Sequence, residues 1–301
     1  MEYYTNILNA VGNTPLFELT RISKGTVFAK AEYLNPGGSI KDRVAKYLIE
    51  QAEKAGQLKP GMTITEATSG NTGIGVTLVG VHKGYRVVIV MPEDMSEERK
   101  KIIRALGAEL ILTPAKKSIS GAVEKVNEMA AADKSVWIVG QFENPKNPEA
   151  HYLTTAPEIW RQMEGDVAAF VAGVGSGGTV GGVGKFLKER DRSIRIVAVE
   201  PANSAALLGH EPGLHQIQGI GDGFIPPVLD TSLIDQVITV TDEQAIETTR
   251  QLARVEGALV GTSSGANVWA ALRLSDELGP GKNVVTVLPD RAERYFSTSL
   301  I

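Results

Sequence analysis

The run Asn35-Pro36-Gly37-Gly38-Ser39-Ile40-Lys41-Asp42-Arg43 delivers a lysine to the start of a helical pattern, directly behind a Gly-Gly turn. Pro36 stiffens the approach, and Gly37-Gly38 admit backbone angles closed to other residues. Ser39 has an N-cap's position, and Asp42 three residues on completes a capping-box pattern. Ile40, Val44, Leu48 and Ala52 then recur at helical spacing up to Gly56. Lys41 therefore stands at a helix N-terminus, where partial positive charge disfavours an ammonium and favours a neutral, nucleophilic amine. Such an amine forms Schiff bases with carbonyl compounds. Taken alone, Lys41 reads better as a solvated lysine on an ordinary first turn, because tuning requires burial or a charged neighbour.

Two other loops change that reading. Thr68-Ser69-Gly70-Asn71-Thr72-Gly73 follows an apparent strand over 63–67 and opens a small-residue helix over 74–80. Hydroxyls, an amide and bare backbone N–H groups at a helix start make an anion site of carboxylate size. Asn71 also has the chemistry to donate to a phenolate oxygen. Gly173-Val174-Gly175-Ser176-Gly177-Gly178-Thr179 lies between a strand over 168–172 and a helix over 180–189, and its glycines let the backbone close around a phosphate. It lacks the G-K-[ST] ending of a nucleotide-triphosphate loop. It does satisfy a loose G-x-G-x-x-G, and Glu200 ends the next strand at about the expected offset, so a dinucleotide site stands as an alternative; its mid-chain position argues against it. A phosphate cup, a carboxylate cup and a Schiff-base lysine together describe pyridoxal 5'-phosphate with an amino-acid substrate.

Short apolar runs over 27–31, 86–91, 109–112, 136–139, 168–172, 195–199, 236–240 and 284–288 alternate with helical patterns over 96–106, 120–132, 180–189, 242–256 and 266–278. This alternation indicates the α/β class, with mostly parallel twisted sheets covered by helices on both faces and ligands at the carboxyl ends of the strands. The 301 residues, 43% of them hydrophobic, suit two domains, and the polar stretch 143–148 is the best candidate for a junction with the site in the cleft between. A net charge of -4 gives no nucleic-acid footprint. No apolar run approaches the ~18 residues of a membrane span, and Met1-Glu2-Tyr3-Tyr4 begins no leader peptide. The absence of cysteine excludes disulfides and thiolate chemistry and fits a cytoplasmic protein. Histidines at 82, 151, 210 and 215 form no H-E-x-x-H pattern, so no metal site is expected.

In the lysine run, the T-S-G-N-T-G loop, Gln141-Phe142 with Asn144-Pro145, the G-S-G-G-T cup, Gln218-Gly219-Ile220-Gly221, Ser263-Ser264-Gly265-Ala266 and Glu293-Arg294-Tyr295, the chain resembles the β-family (fold type II) of pyridoxal-phosphate enzymes. The resemblance runs in order from Gly12 to Thr298 and is closest to the O-acetylserine sulfhydrylases, or cysteine synthases. It implies a tryptophan synthase β-like fold. One α/β domain would span 40–145, with a mobile subdomain about 86–132, and the other 1–39 plus 146–301. The implied reaction makes L-cysteine from O-acetyl-L-serine and sulfide through an α-aminoacrylate. A homodimer is implied, with the C-terminal peptide of serine acetyltransferase as a possible partner.

The resemblance also implies roles. Lys41 would hold the cofactor and exchange the substrate's Cα proton. Asn71 would bond the cofactor's O3', Gly175, Ser176, Gly177, Gly178 and Thr179 its phosphate, and Ser263 its pyridine nitrogen. Thr68, Ser69, Gly70, Asn71, Thr72, Gln141 and Gly219 would meet the substrate. A neutral serine partner makes the ring a weaker electron sink, which suits β-elimination better than transamination. Asp222 occupies a place where many relatives carry a small neutral residue. Its plainer reading is a loop aspartate facing solvent. If it faces the cleft instead, it is a catalytic acid or base serving a second amino acid, and the alternative function is a cysteine β-lyase or lanthionine synthase releasing hydrogen sulfide. Asp290 stands where some relatives carry Ser or Cys near the ring nitrogen. Retention of Lys41, both cups and Ser263 argues against a silent scaffold for serine acetyltransferase.

Overall fold

The computed structural model describes residues 3–24 and 26–300. Met1 and Glu2, where the reading for a leader peptide begins, lie outside them, as do Gly25 and Ile301. The aliphatic runs form strands β1 (Leu16–Glu18), β2 (Val27–Lys30), β3 (Thr63–Ala67), β4 (Arg86–Pro92), β5 (Glu109–Thr113), β6 (Val136–Ile138), β7 (Ala169–Gly173), β8 (Arg195–Pro201), β9 (Gln236–Val240) and β10 (Val284–Val287). Between them lie α1 (Lys41–Lys54), α2 (Asn71–His82), α3 (Glu97–Ala105), α4 (Ser118–Ala132), α5 (Lys146–Ala150), α6 (Ala156–Gln162), α7 (Gly178–Arg190), α8 (Asp242–Gln251) and α9 (Thr262–Leu278).

The strands form a six-stranded sheet in the order β1-β2-β10-β7-β8-β9 and a four-stranded sheet in the order β5-β4-β3-β6. All pairings are parallel except β1 with β2. Parallel strands require helical crossovers and burial on both faces, so β3 and β10 are buried at every residue. Separate apolar clusters line the two faces of the larger sheet, one under α9 and one under α7; the smaller sheet shares an apolar cluster with α1, α2 and α3 on one face and packs on α4 on the other. Among the described residues no helix is long and apolar enough to cross a membrane.

Four local readings need correction. Ser39 does not cap α1. Its backbone pairs with Asp290, so Ile40 takes the N-cap position, and the Ser39 hydroxyl accepts from Lys41 N at 3.2 Å. Asp42 instead reaches back to accept from Gly37 N and closes the Gly-Gly turn. The helix read over 74–80 begins at Asn71, which puts the T-S-G-N loop at its N-terminus. The helical pattern over 242–256 breaks into α8 and a π-helical turn, Leu252–Glu256. Strand β1 was missed because two of its three residues are exposed, leaving no apolar run to read.

Helix α1 is fixed to the larger sheet by buried charges that no sequence pattern announces. Arg43 Nε and Nη2 pair with Glu32 and Glu158, each at 2.7 Å, and Lys30 on β2 pairs with Glu158 at 2.8 Å. Burial opposes ionisation of Glu158, but the bonds and charges of Arg43 and Lys30 outweigh it and bring the carboxyl to about 2. The stability this gives is complete above the ordinary value of 4.5 and is lost as pH falls through about 2. Replacing Arg43 by Met strands two buried carboxylates. The expected loss in urea unfolding is about 3–5 kcal/mol. Removing the exposed Arg86, which pairs with Glu109, should leave the transition unchanged.

Candidate active site

The carboxyl ends of β3, β6 and β7 turn toward the N-terminus of α1 and enclose a cleft of about 490 Å³. Lys41, Thr68, Ser69, Gly70, Asn71, Thr72, Gln141, Gly175, Ser176, Gly177, Gly178, Thr179, Gly219, Asp222 and Ser263 all line it. Lys41 reaches this position because α2 crosses α1 closely. A Cβ at Gly75 would lie 2.8 Å from the Lys41 carbonyl oxygen, so only glycine permits the approach.

The Lys41 amine donates to Ser176 Oγ at 3.0 Å, and Asn147 Nδ2 donates to the same oxygen at 2.9 Å. Burial lowers the amine's pKa to about 8, against the opposing charges of Asp222 and Glu66. Desolvation, rather than the helix end alone, is thus what tunes the amine. Around it the G-S-G-G-T cup is built on glycine for two reasons. Gly177 has φ +78°, and a Cβ at Gly175 would sit 2.3 Å from the Gly219 carbonyl oxygen. The backbone N–H groups at the start of α7 remain for an anion.

In the other cup, Thr72 Oγ1 donates to Gln141 Oε1 at 2.7 Å, which leaves the Gln141 amide hydrogens for a ligand. Glu66 accepts from Gly140 N at 2.8 Å and Gln141 N at 3.2 Å, fixing the loop that carries Gln141. Asp222 forms part of the wall rather than pointing to solvent, with its carboxyl raised by burial against the charges of Lys41 and His215. Ser263 and Ser264 lie inside the first turn of α9, and neither caps it; Gly261 is the N-cap. Asp290 does not line the cleft. It is fully buried and accepts from Asn71 Nδ2 and from the Tyr295 hydroxyl, each at 2.6 Å. Glu200, the acid of the dinucleotide alternative, is turned to Leu207 N at 3.0 Å and lies outside the cleft wall, which leaves that alternative without its ribose partner.

Three contributors escaped the sequence reading. His151 is fully buried, with Nδ1 2.9 Å from Thr155 Oγ1 and Nε2 3.4 Å from Thr179 Oγ1, and burial keeps its imidazole neutral. Asn147 braces Ser176. Arg99 on α3 lines the cleft, donates to Gln218 Oε1 and lies 4.6 Å over the Tyr295 ring. Spacing rules find none of them, because each acts through a residue distant in the chain.

A family model for pyridoxal-phosphate dependent enzymes matches residues 7–290. The chain belongs to that family. Within the pyridoxal-phosphate dependent enzymes, the chain is 50% identical over 299 residues to the cysteine synthase of Staphylococcus aureus, covering 98% of this chain and 96% of that one. The O-acetylserine dependent cystathionine beta-synthase of Helicobacter pylori superposes with a TM-score of 0.94 at 44% identity, covering 100% of this chain and 99% of that one. A hydrogen sulfide-producing enzyme of Fusobacterium nucleatum superposes at 0.95 with 40% identity, covering 98% and 100%.

Glu66 gives this cleft a signed pH dependence. Burial raises its carboxyl from 4.5 to about 7 against the bonds from Gly140 and Gln141. Ionising it in the folded state is therefore unfavourable, so its contribution to stability falls as pH rises from about 4.5 toward 7. Glu66→Gln cannot ionise. Unfolding free energies measured from pH 5 to pH 8 should show the variant gaining on wild type with rising pH, and a constant difference contradicts the assignment.

Proposed function

We propose that this family member makes L-cysteine from O-acetyl-L-serine and sulfide by pyridoxal 5'-phosphate-dependent β-replacement. The observation that carries the reading is the enclosed Lys41 amine, lowered to about 8, placed between a phosphate-sized cup and a carboxylate-sized cup. When bound, the cofactor supplies an electron sink for charge left at the substrate's Cα. The residues present fit it. Lys41 would hold its aldehyde carbon covalently, Gly175 to Thr179 would take its phosphate, Asn71 its phenolic oxygen and Ser263 its ring nitrogen.

Thr68, Ser69, Gly70, Thr72, Gln141 and Gly219 orient the substrate, with its carboxylate at the start of α2. Lys41 would take the substrate's Cα proton and later return one. Its lowered pKa makes the neutral, proton-accepting form accessible near neutrality. A neutral Ser263 hydroxyl at the ring nitrogen would not hold a proton there, which would suit a reaction that expels its leaving group promptly. The segment about 86–132, carrying α3 and α4, closes over the bound carboxylate and excludes water from the reactive product of elimination. A domain spanning 40–145, packed on one built from 1–39 and 146–301, provides the frame for that closure. The reading extends to a cytoplasmic homodimer and to the C-terminal peptide of serine acetyltransferase as a partner.

Asp222 favours a second reaction in the same cleft, β-elimination from cysteine with release of hydrogen sulfide. A carboxyl raised by burial and close enough to act on the charge of Lys41 is placed to pass a proton to a departing sulfur or an incoming amino acid.

Purified protein given O-acetylserine and sulfide should form cysteine. Failure to do so, with brisk sulfide release from cysteine alone, would reverse the order of the two reactions. Lys41→Ala should abolish both activities. Asp222→Ala should lower cysteine-dependent sulfide release about a hundredfold, with cysteine formation from O-acetylserine little changed; equal rates of sulfide release would remove Asp222 from the chemistry.

A further inference from the structure

We propose that Asp290 and Arg294 clamp the Asn71 side-chain amide in a single orientation, so that it meets a ligand in the cleft as a hydrogen-bond donor. The proposal rests on the reading of the cleft as a pyridoxal-phosphate site.

Asn71 Nδ2 donates to Asp290 Oδ2 at 2.6 Å, and Asn71 Oδ1 accepts from Arg294 Nη1 at 2.6 Å. A carboxylate only accepts and a guanidinium only donates. The two ends of an amide are otherwise hard to tell apart, but here turning it over would set oxygen against carboxylate and nitrogen against guanidinium. The orientation is therefore dictated by chemistry. One hydrogen of Nδ2 goes to Asp290, and no protein acceptor among the described residues takes the second. Asn71 lines the cleft, so that hydrogen is available to a ligand there.

The clamp is held on the frame that carries Lys41. Ser39 pairs with Asp290, Ile40 N donates to Pro289 O at 2.9 Å, and Gly261 N donates to Asp290 O at 3.0 Å. Arg294 also donates to the Gly37 carbonyl oxygen, in the turn that precedes Lys41. The Tyr295 hydroxyl donates to Asp290 Oδ2 at 2.6 Å, and the Arg99 guanidinium covers its ring. The arrangement is expensive for the fold. Asp290 and Arg294 are 0% and 3% exposed, their charged atoms are 4.0 Å apart, and Asp290 Oδ1 has no hydrogen-bond partner among the described residues. A buried pair with an unsatisfied oxygen adds little stability compared with apolar packing. Fixing Asn71 is a use that accounts for it. A donor held toward the cofactor's phenolic oxygen favours the ionised oxygen over the protonated one. Asp290 and Arg294 are thus positioning residues, acting through Asn71.

The test uses the full chain, stripped of cofactor and titrated with pyridoxal 5'-phosphate, reading absorbance and affinity. Wild type should develop a visible band with a minor near-ultraviolet one. Asp290→Ala should lose about tenfold in affinity and shift intensity to the near-ultraviolet band. Asp290→Asn keeps an acceptor oxygen for Asn71 and should restore both toward wild type. An Asp290→Ala variant with wild-type affinity and spectrum overturns the proposal, as does failure of Asp290→Asn to improve on it. If Asp290→Ala does not fold, Tyr295→Phe, which loosens the same oxygen, should give the same spectral shift at smaller amplitude, and an unmoved spectrum overturns the clamp. Wild-type protein that takes up no cofactor overturns the underlying reading and the clamp with it.

Discussion

The Lys41 amine is enclosed where α1 enters between the two sheets, and desolvation there brings it to about 8. Removing an ammonium from water is unfavourable, so the surrounding chain has to hold the amine where it would not settle by itself. Much of the architecture serves that end. Arg43, two residues along α1, is locked into the buried charges of Glu32, just after β2, and Glu158 on α6, while Ile40 and Ser39 are paired to the segment after β10. Asp42 closes the turn before the helix, and Gly75 lets α2 lie against it. The larger sheet thus grips the helix start by polar contacts, while the smaller sheet packs on the helix body through apolar ones. The candidate active site lies where the two sets of contacts meet.

How much of this was legible in the sequence depended on range. Lys41, the T-S-G-N loop and the G-S-G-G-T cup could be read because each feature is local: glycine where the backbone turns or approaches closely, small polar residues at a helix start, an apolar run before it. The strands other than β1 are legible to within a residue or two for the same reason. The capping box on α1 was misread because Ser39 is claimed by Asp290, far away in the chain. Asn71 and Asp290 are 219 positions apart, Arg43 and Glu158 115, and Arg99 and Gln218 119. Nothing in the spacing of such residues reports that they meet. Asp222 shows the same limit, since a Gly-flanked aspartate looks alike whether it faces water or a cleft wall.

Relatives that share this fold at 40–50% identity bear names that point to different products: a cysteine synthase, a cystathionine beta-synthase and a hydrogen sulfide-producing enzyme. In the function proposed for this chain, the cleft offers an amine, two anion cups and a neutral ring partner, an arrangement that suits elimination at Cβ without choosing what leaves or what adds. Discrimination has to come from side chains above that common floor. In this chain Asp222, His215 and Gln218 are among the polar groups lining the cleft, and Arg99 ties α3 to Gln218.

The most direct test of the central claim is the ionisation of Lys41 itself. In cofactor-free protein, the rate of reductive methylation at each lysine can be followed against pH by peptide mass spectrometry, with exposed lysines as internal references. Burial as described here gives Lys41 a midpoint of about 8, well below the 10.5 of an ordinary lysine. A midpoint at the ordinary value would mean that the amine stays solvated, and that enclosure between the sheets does not tune it.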